Sequence, residues 1–211
     1  MVFSFAMEII GQGAEAILKH EDGVLVKDRI VKKYRIKEID DKIRKLRTRS
    51  ETKLLEKASK IIPIPKVLDS NDKTMQITME FIDGKKLSEY LDGINDKERE
   101  KLLKIIGNQT ALLHNENIIH GDLTTSNMIL KDEKIYFIDF GLGFFSIKNE
   151  DKAVDIHLFR QALESKHYTH FEKSYDNFLK GYKEKFTNYN EIIKQLEKVE
   201  KRGRYKGKNE I

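Results

Sequence analysis

Two carboxylates and a carboxamide lie close together in His120-Gly121-Asp122-Leu123-Thr124-Thr125-Ser126-Asn127 and Ile138-Asp139-Phe140-Gly141, and a cation stands far upstream in Val26-Lys27. Phosphoryl transfer from ATP needs a carboxylate near the attacking hydroxyl, oxygen ligands for Mg2+ and a cation on the phosphates. Asp122 suits the first role, Asn127 and Asp139 the second, and Lys27 the third. Order and spacing carry this reading, because each residue alone has an ordinary alternative. Asp122 could cap a turn, Asn127 could open a strand, and Asp139 could be a turn residue near Gly141. The interval from Asn127 to Asp139 leaves room for one tight hairpin, and Tyr136-Phe137-Ile138 reads as a buried strand. A carboxylate at the end of such a strand is costly to desolvate unless a cation answers it, and Mg2+ is the natural one.

Other residues must complete the site. Lys27 ends the strand Gly23 to Lys27, with Lys32 and Lys33 as neighbouring rivals. Its partner carboxylate should come from the following helix: Glu51 is the choice, ahead of Glu56 and Glu38. Gly11-Gln12-Gly13-Ala14-Glu15-Ala16 could fold over phosphates through backbone N–H groups, although a Gly-x-Gly is more often a plain hairpin turn. Glu15 would repel phosphates unless it points toward a Lys or Mg2+. Glu80 and Ile82, at the junction of the two halves, join the nucleotide-binding set. His120 reads as a packed loop residue that holds the Asp122 loop.

The elements that position these residues follow from pattern. Glu8 to Ile10 and Ala14 to Leu18 read as strands around a Gly11-Gln12-Gly13 turn, with Gly23 to Lys27 as a third strand. Apolar residues from Ile39 to Lys60 have helical spacing, in one helix or two, ended by Pro63 and Pro65. Val67-Leu68 and Met75 to Met79 read as paired strands. Lys97 to His114, Asp151 to Leu163 and Tyr175 to Val199 read as helices, and Asn127 to Leu130 with Lys134 to Ile138 as a hairpin. The predicted class is α+β and bilobal: a small N-terminal β lobe with one or two helices (1–80), a hinge (81–84), a reduced, mainly helical C-terminal lobe (85–200) and a mobile basic tail (201–211).

Composition bounds the function. Of 211 residues 39% are hydrophobic, enough for a core, and 36% are charged, with a net charge of +5. The absence of cysteine excludes disulfides, thiolate metal sites and a Cys nucleophile, and fits a reducing cytoplasm. No apolar run approaches the ~18 residues of a membrane span. Met1 to Ala6 is apolar but too short for a signal peptide.

The motifs resemble those of the protein kinase superfamily across nearly the whole chain. More narrowly, the chain resembles the small atypical serine/threonine kinases of the KEOPS (EKC) complex, in Gly13-Ala14-Glu15-Ala16, Val26-Lys27, Lys33-Tyr34-Arg35, Arg47-Thr48-Arg49-Ser50-Glu51, the Asp122 loop and Arg202-Gly203-Arg204. The resemblance implies a protein kinase-like fold with ATP and Mg2+ as cofactors. It further implies ATP hydrolysis supporting a tRNA threonylcarbamoyladenosine (t6A)-forming complex, and serine autophosphorylation. Its partners would be the threonylcarbamoyl-transferase subunit, other KEOPS subunits and tRNA within the complex, with no membrane. Met1 to Ala6 would be a linker remnant of a fusion to that transferase. Gly121 stands where regulated kinases carry an arginine that grips an activation-loop phosphate, so no such switch is expected. Thr124 replaces a lysine found near the transferring phosphate in many kinases, which implies slow or partner-assisted turnover. Gly141 to Asp151 leaves room only for a short loop with no peptide-docking platform, and Asp155 could tether the catalytic loop.

Lys32, Lys33, Arg35, Lys37, Lys42, Arg44, Lys45, Arg47 and Arg49 form a basic cluster. It reads either as a solvated face or as a track for an RNA backbone, in which Arg202, Arg204 and Lys206 would join. Two other functions compete: a small-molecule phosphotransferase resembling the aminoglycoside kinases, and a nucleotide-binding scaffold with little catalysis.

Overall fold

A computed structural model describes residues 7–206, with side chains through Arg202. The reading of Met1 to Ala6 as a linker remnant falls outside these residues. The chain opens with strands β1 (Glu8–Gln12), β2 (Ala16–Glu21) and β3 (Val24–Arg29). Asp22 and Gly23, between β2 and β3, take φ of 46° and 77°, the left-handed pair that a two-residue hairpin turn demands. The glycine-rich turn lies later than the sequence suggests: β1 runs through Gly11 and Gln12, and the reversal falls on Gly13 to Glu15. An irregularity between Ile9 and Gly11 absorbs the extra residue.

Helix α1 (Lys37–Ala58) is continuous, with no Gly or Pro inside it. Its inward face carries Thr48, Glu51, Leu54, Leu55 and Ala58, at the 3.6-residue spacing of one helix side. Glu51 is therefore drawn inside by the leucines that follow it. Strands β4 (Val67–Asn71) and β5 (Gln76–Glu80) complete a five-stranded antiparallel sheet in the order β1-β2-β3-β5-β4.

Past the irregular Phe81–Asp83 the chain becomes mainly helical. Strand β6 (Lys85–Lys86) leads into the short α2 (Leu87–Tyr90) and then α3 (Asp96–Asn115), whose N-cap Asn95 accepts from Glu98 N–H at 2.9 Å. Strand β7 (Ile118–Ile119) precedes the hairpin of β8 (Met128–Lys131) and β9 (Lys134–Phe137), and β10 (Phe144–Phe145) pairs back on β7. Helices α4 (Asn149–Lys166), α5 (Phe171–Lys185) and α6 (Tyr189–Lys206) follow. A Cβ on Gly107 of α3 would strike the Phe178 carbonyl and the Tyr182 nitrogen of α5, and one on Gly181 would strike the Lys104 carbonyl. These two glycines let the backbones of α3 and α5 touch. Leu103, Ile106, Phe159, Phe178 and Tyr182 fill the core beneath.

Two helical expectations need correction. Tyr175 to Val199 is not one helix: it breaks at Phe186, whose extended backbone sets its ring 5.0 Å from that of Tyr182. The described part of the expected tail, Lys201 to Lys206, is likewise helical, because α6 continues through it, while residues 207–211 lie outside the described residues. Helix α6 is held against α4 by Arg160–Glu200 at 2.6 Å and by the Arg202–Glu150 pair. Among the described residues no helix is long and apolar enough to cross a membrane.

Candidate nucleotide and catalytic site

A cleft of about 380 Å3 lies between the five-stranded sheet and the β8–β9 hairpin. Leu18, Leu25, Met79, Ile82, Ile129 and Ile138 form its apolar walls, with Glu80 at the junction and Lys27, Glu51, Asn127 and Asp139 at the polar end. An apolar cleft ending in charge suits a base with phosphates. A smaller cavity of about 230 Å3 sits under the Gly13–Ala14–Glu15 turn, bordered by Lys27, Arg29, Asp122, Asp139 and Gly141. Lys27 and Asp139 border both spaces. Gly11 lines the larger cleft, whereas Gln12 is exposed and lines neither.

Lys27 is 7% exposed and donates to Glu51 Oε1 at 2.6 Å and to Asp139 Oδ1 at 2.7 Å. Burial works against its charge, but the two carboxylates outweigh that and raise its pKa. Glu38 and Glu56, the rivals for its partner, are exposed. Arg29, two residues along β3 and so on the same face, donates to Glu51 Oε2.

Asp139 takes a left-handed φ of 62° just beyond β9, a conformation Asp tolerates and that recurs at functional sites. Its Oδ1 also accepts from Gly141 N–H at 3.1 Å, while Oδ2 has no protein donor among the described residues. Burial pushes its carboxyl up, and the Lys27 ammonium more than reverses this, so it lies below the ordinary value. Asn127 turns its Nδ2 to Asp122, donating to the backbone oxygen and to Oδ2, both at 2.9 Å. That leaves the side-chain Oδ1 of Asn127 without a donor among the described residues, while its backbone oxygen accepts from Ile138 N–H at 3.0 Å. One carboxylate oxygen and one amide oxygen without donors fit a hard cation such as Mg2+.

The Asp122 loop is anchored from α4. Asp155 of α4, 1% exposed, accepts from Gly121 N–H at 2.9 Å, from His120 N–H at 2.8 Å and from His114 Nε2 at 3.2 Å. His120 is buried and held neutral, its pKa lowered by desolvation. Its Nδ1 accepts from Asp122 N–H at 3.3 Å, so Nε2 carries the proton and donates to the Ile138 carbonyl at 3.2 Å. One imidazole thus links the Asp122 loop to the strand end before Asp139. A second relay holds the turn before Asn127: Asp92 accepts from His167 Nδ1 at 2.8 Å, and His167 Nε2 meets Thr125 Oγ1 at 3.0 Å. After Asp139 the chain returns through β10, and Ser146 N–H donates to the Asn117 carbonyl at 2.9 Å.

Glu15 pairs with Arg47 of α1, which removes an unopposed anion from the phosphate side. Lys32 donates to the Ala14 carbonyl and braces the same turn. Much of the basic cluster is answered internally: Arg44 by Asp40 at 2.7 Å and Asp41 at 2.5 Å, Arg35 by Asp40 at 3.4 Å, and Arg49 by Asp72. Lys33, Lys37 and Lys42 have no acidic partner among the described residues. Arg202 pairs with Glu150, and the side chains of Arg204 and Lys206 lie outside the described residues. The Arg29–Glu51 and Arg47–Glu15 ion pairs and the Asp92–His167–Thr125 relay escape sequence reasoning. Only Arg29 leaves a signal, its even spacing from Lys27 on a strand.

The RIO domain family matches residues 18–153. The chain is 42% identical to the KEOPS complex subunit Bud32 of Pyrococcus abyssi, over 97% of its own length and 99% of the relative's. It is 43% identical over 93% of its length to a probable bifunctional tRNA threonylcarbamoyladenosine biosynthesis protein of Methanobrevibacter smithii, of which it spans 36%. The solved Rio2 kinase of Chaetomium thermophilum, an ADP/Mg2+-phosphoaspartate complex, superposes with a TM-score of 0.63 at 15% identity, covering 97% of this chain and 72% of that one. This last likeness shows the fold: α+β, bilobal and kinase-like.

Proposed function

The chain belongs to the RIO-domain family and, within it, to the Bud32 group, and from that premise we propose that it is a Mg-ATP-dependent phosphotransferase or ATPase serving a t6A-forming assembly. The observation that carries the proposal is the convergence of Lys27, Glu51 and Asp139 at the polar end of the cleft, beside Asp122 and Asn127. Leu25, Met79, Ile82 and Ile129 would hold the adenine in the cleft that they line, with Glu80 at the junction. The Gly13–Glu15 turn covers the phosphates, and Lys27 holds their oxygens. Asp139 Oδ2 and Asn127 Oδ1 would hold Mg2+, which would supply positive charge against the phosphates. Asp122, fixed by Asn127, orients the attacking hydroxyl and receives its proton.

Mg-ATP turnover by the wild type and Asp139→Ala, with and without KEOPS-type partners and tRNA, tests this. Equal turnover by the two proteins refutes the catalytic proposal. Turnover that requires an antibiotic or a sugar points to a small-molecule phosphotransferase, and nucleotide binding without turnover to a scaffold. Partnership with a threonylcarbamoyl transferase is supported by the bifunctional relative, of which this chain corresponds to one part. The tRNA contact is assigned to the end of α6: deleting residues 203–211 should weaken tRNA binding, and unchanged affinity refutes that contact.

A further inference from the structure

Glu51 answers two cations. Its Oε1 takes Lys27 and its Oε2 takes Arg29, and Lys27, Arg29 and Glu51 are 7%, 5% and 2% exposed. Burying a guanidinium is costly, and here the cost is incompletely met, since Arg29 Nε has no hydrogen-bond partner. A strand-end arginine with no use for its position could reach solvent instead. Arg29 also borders the small cavity beside Asp122 and Asp139, on the phosphate side of the cleft.

A count of charges gives this placement a meaning. Within the ion-pair cluster at the polar end of the cleft, Lys27 and Arg29 balance Glu51 and Asp139. Asp139 is the exposed member, its side chain 51% accessible, and is the one a metal ion would engage. Lys27, Arg29 and Glu51 then present one net positive charge to the phosphates. Without Arg29, Lys27 and Glu51 would cancel. In a poorly solvated cleft such a charge is weakly screened, and a guanidinium supplies it at any working pH.

We propose that Arg29 is an electrostatic positioning residue: by neutralising Glu51 it leaves the Lys27 charge uncommitted for the phosphates of a bound nucleotide. The inference rests on the Mg-ATP reading of the cleft. Its test is calorimetric titration of the full chain with Mg2+ and a non-hydrolysable ATP analogue, with thermal unfolding of each variant. Arg29→Met should weaken binding about tenfold or more, because the phosphates lose their net positive partner. Arg29→Lys keeps the charge and should stay within about threefold of wild type. The double variant Arg29→Met/Glu51→Gln restores the balance and should also return to within about threefold. A merely structural arginine would give no such rescue by a second substitution. Wild-type affinity in Arg29→Met, or a double variant as weak as Arg29→Met, overturns the proposal. Should Arg29→Met fail to fold, a folded double variant at least about tenfold weaker than wild type overturns it equally. A wild type that does not bind the analogue refutes the Mg-ATP reading itself, which is a different result from a wild type that binds and an Arg29→Met that matches it.

Discussion

Replacing Asp155 with asparagine should unfasten the catalytic loop from the helical half of the protein. The two Asp155 oxygens collect three donors: Gly121 N–H on Oδ1 at 2.9 Å, His120 N–H on Oδ2 at 2.8 Å and His114 Nε2 on Oδ2 at 3.2 Å. Asparagine has one acceptor oxygen. Whichever way its amide turns, the NH2 faces at least one backbone N–H in a place that is 1% exposed. One charge-assisted bond lost and one buried donor orphaned amount to about 3 kcal/mol, measurable by urea unfolding at neutral pH. The pH dependence has a definite sign. Burial raises the Asp155 carboxyl, but the hydrogen bond and charge of His114, with His120, more than reverse this, so its native pKa lies below the ordinary value. The unfolded chain therefore binds a proton first as pH falls. The Asp155 contribution is complete above about pH 4 and is lost as acidification proceeds through the native pKa. The gap between wild type and Asp155→Asn should narrow in that window, and amide exchange at Gly121 should quicken in the variant. A loss below about 1 kcal/mol at neutral pH, or a gap that stays constant down to about pH 2.5, refutes the reasoning.

Gly107→Ala should lower stability by about 2 kcal/mol in thermal unfolding, since the collision with the α5 backbone outweighs the roughly 1 kcal/mol gained in helix propensity. Thr125→Val removes the hydroxyl that meets His167 Nε2; it should cost about 1–2 kcal/mol and reduce kcat with little change in the KM for ATP, as steady-state kinetics would reveal. Arg47→Ala frees the Glu15 carboxylate above the phosphates and should raise that KM about threefold, an increase that adding Glu15→Gln should cancel.

What the sequence makes legible is local or periodic. Asp122 and Asn127 share one loop, so their hydrogen bond follows from spacing. The side of α1 that Glu51 occupies can be read from Leu54, Leu55 and Ala58. Arg29 is lost when the strand is read as ending at Lys27, although β3 runs two residues further. The turn over the phosphates moves because a strand irregularity near Ile10 leaves no mark in composition. Partners drawn from remote segments are equally silent. Asp72 lies in the β4–β5 turn and Glu15 beside the glycines, yet they answer Arg49 and Arg47 of α1 and turn much of a basic run into a lattice of ion pairs. The end of α6 likewise finds remote partners, Glu200 in Arg160 and Arg202 in Glu150, both on α4.

The short return through β10 carries one more implication. Phe144 and Phe145 are laddered to Ile119 and Ile118, immediately before the catalytic loop, and Ser146 closes the seam on Asn117. Swinging this segment aside would strip backbone hydrogen bonds from the stretch that presents Asp122. A flap sewn to that stretch cannot swing freely as a gate, so any opening or closing of the cleft must come from another element.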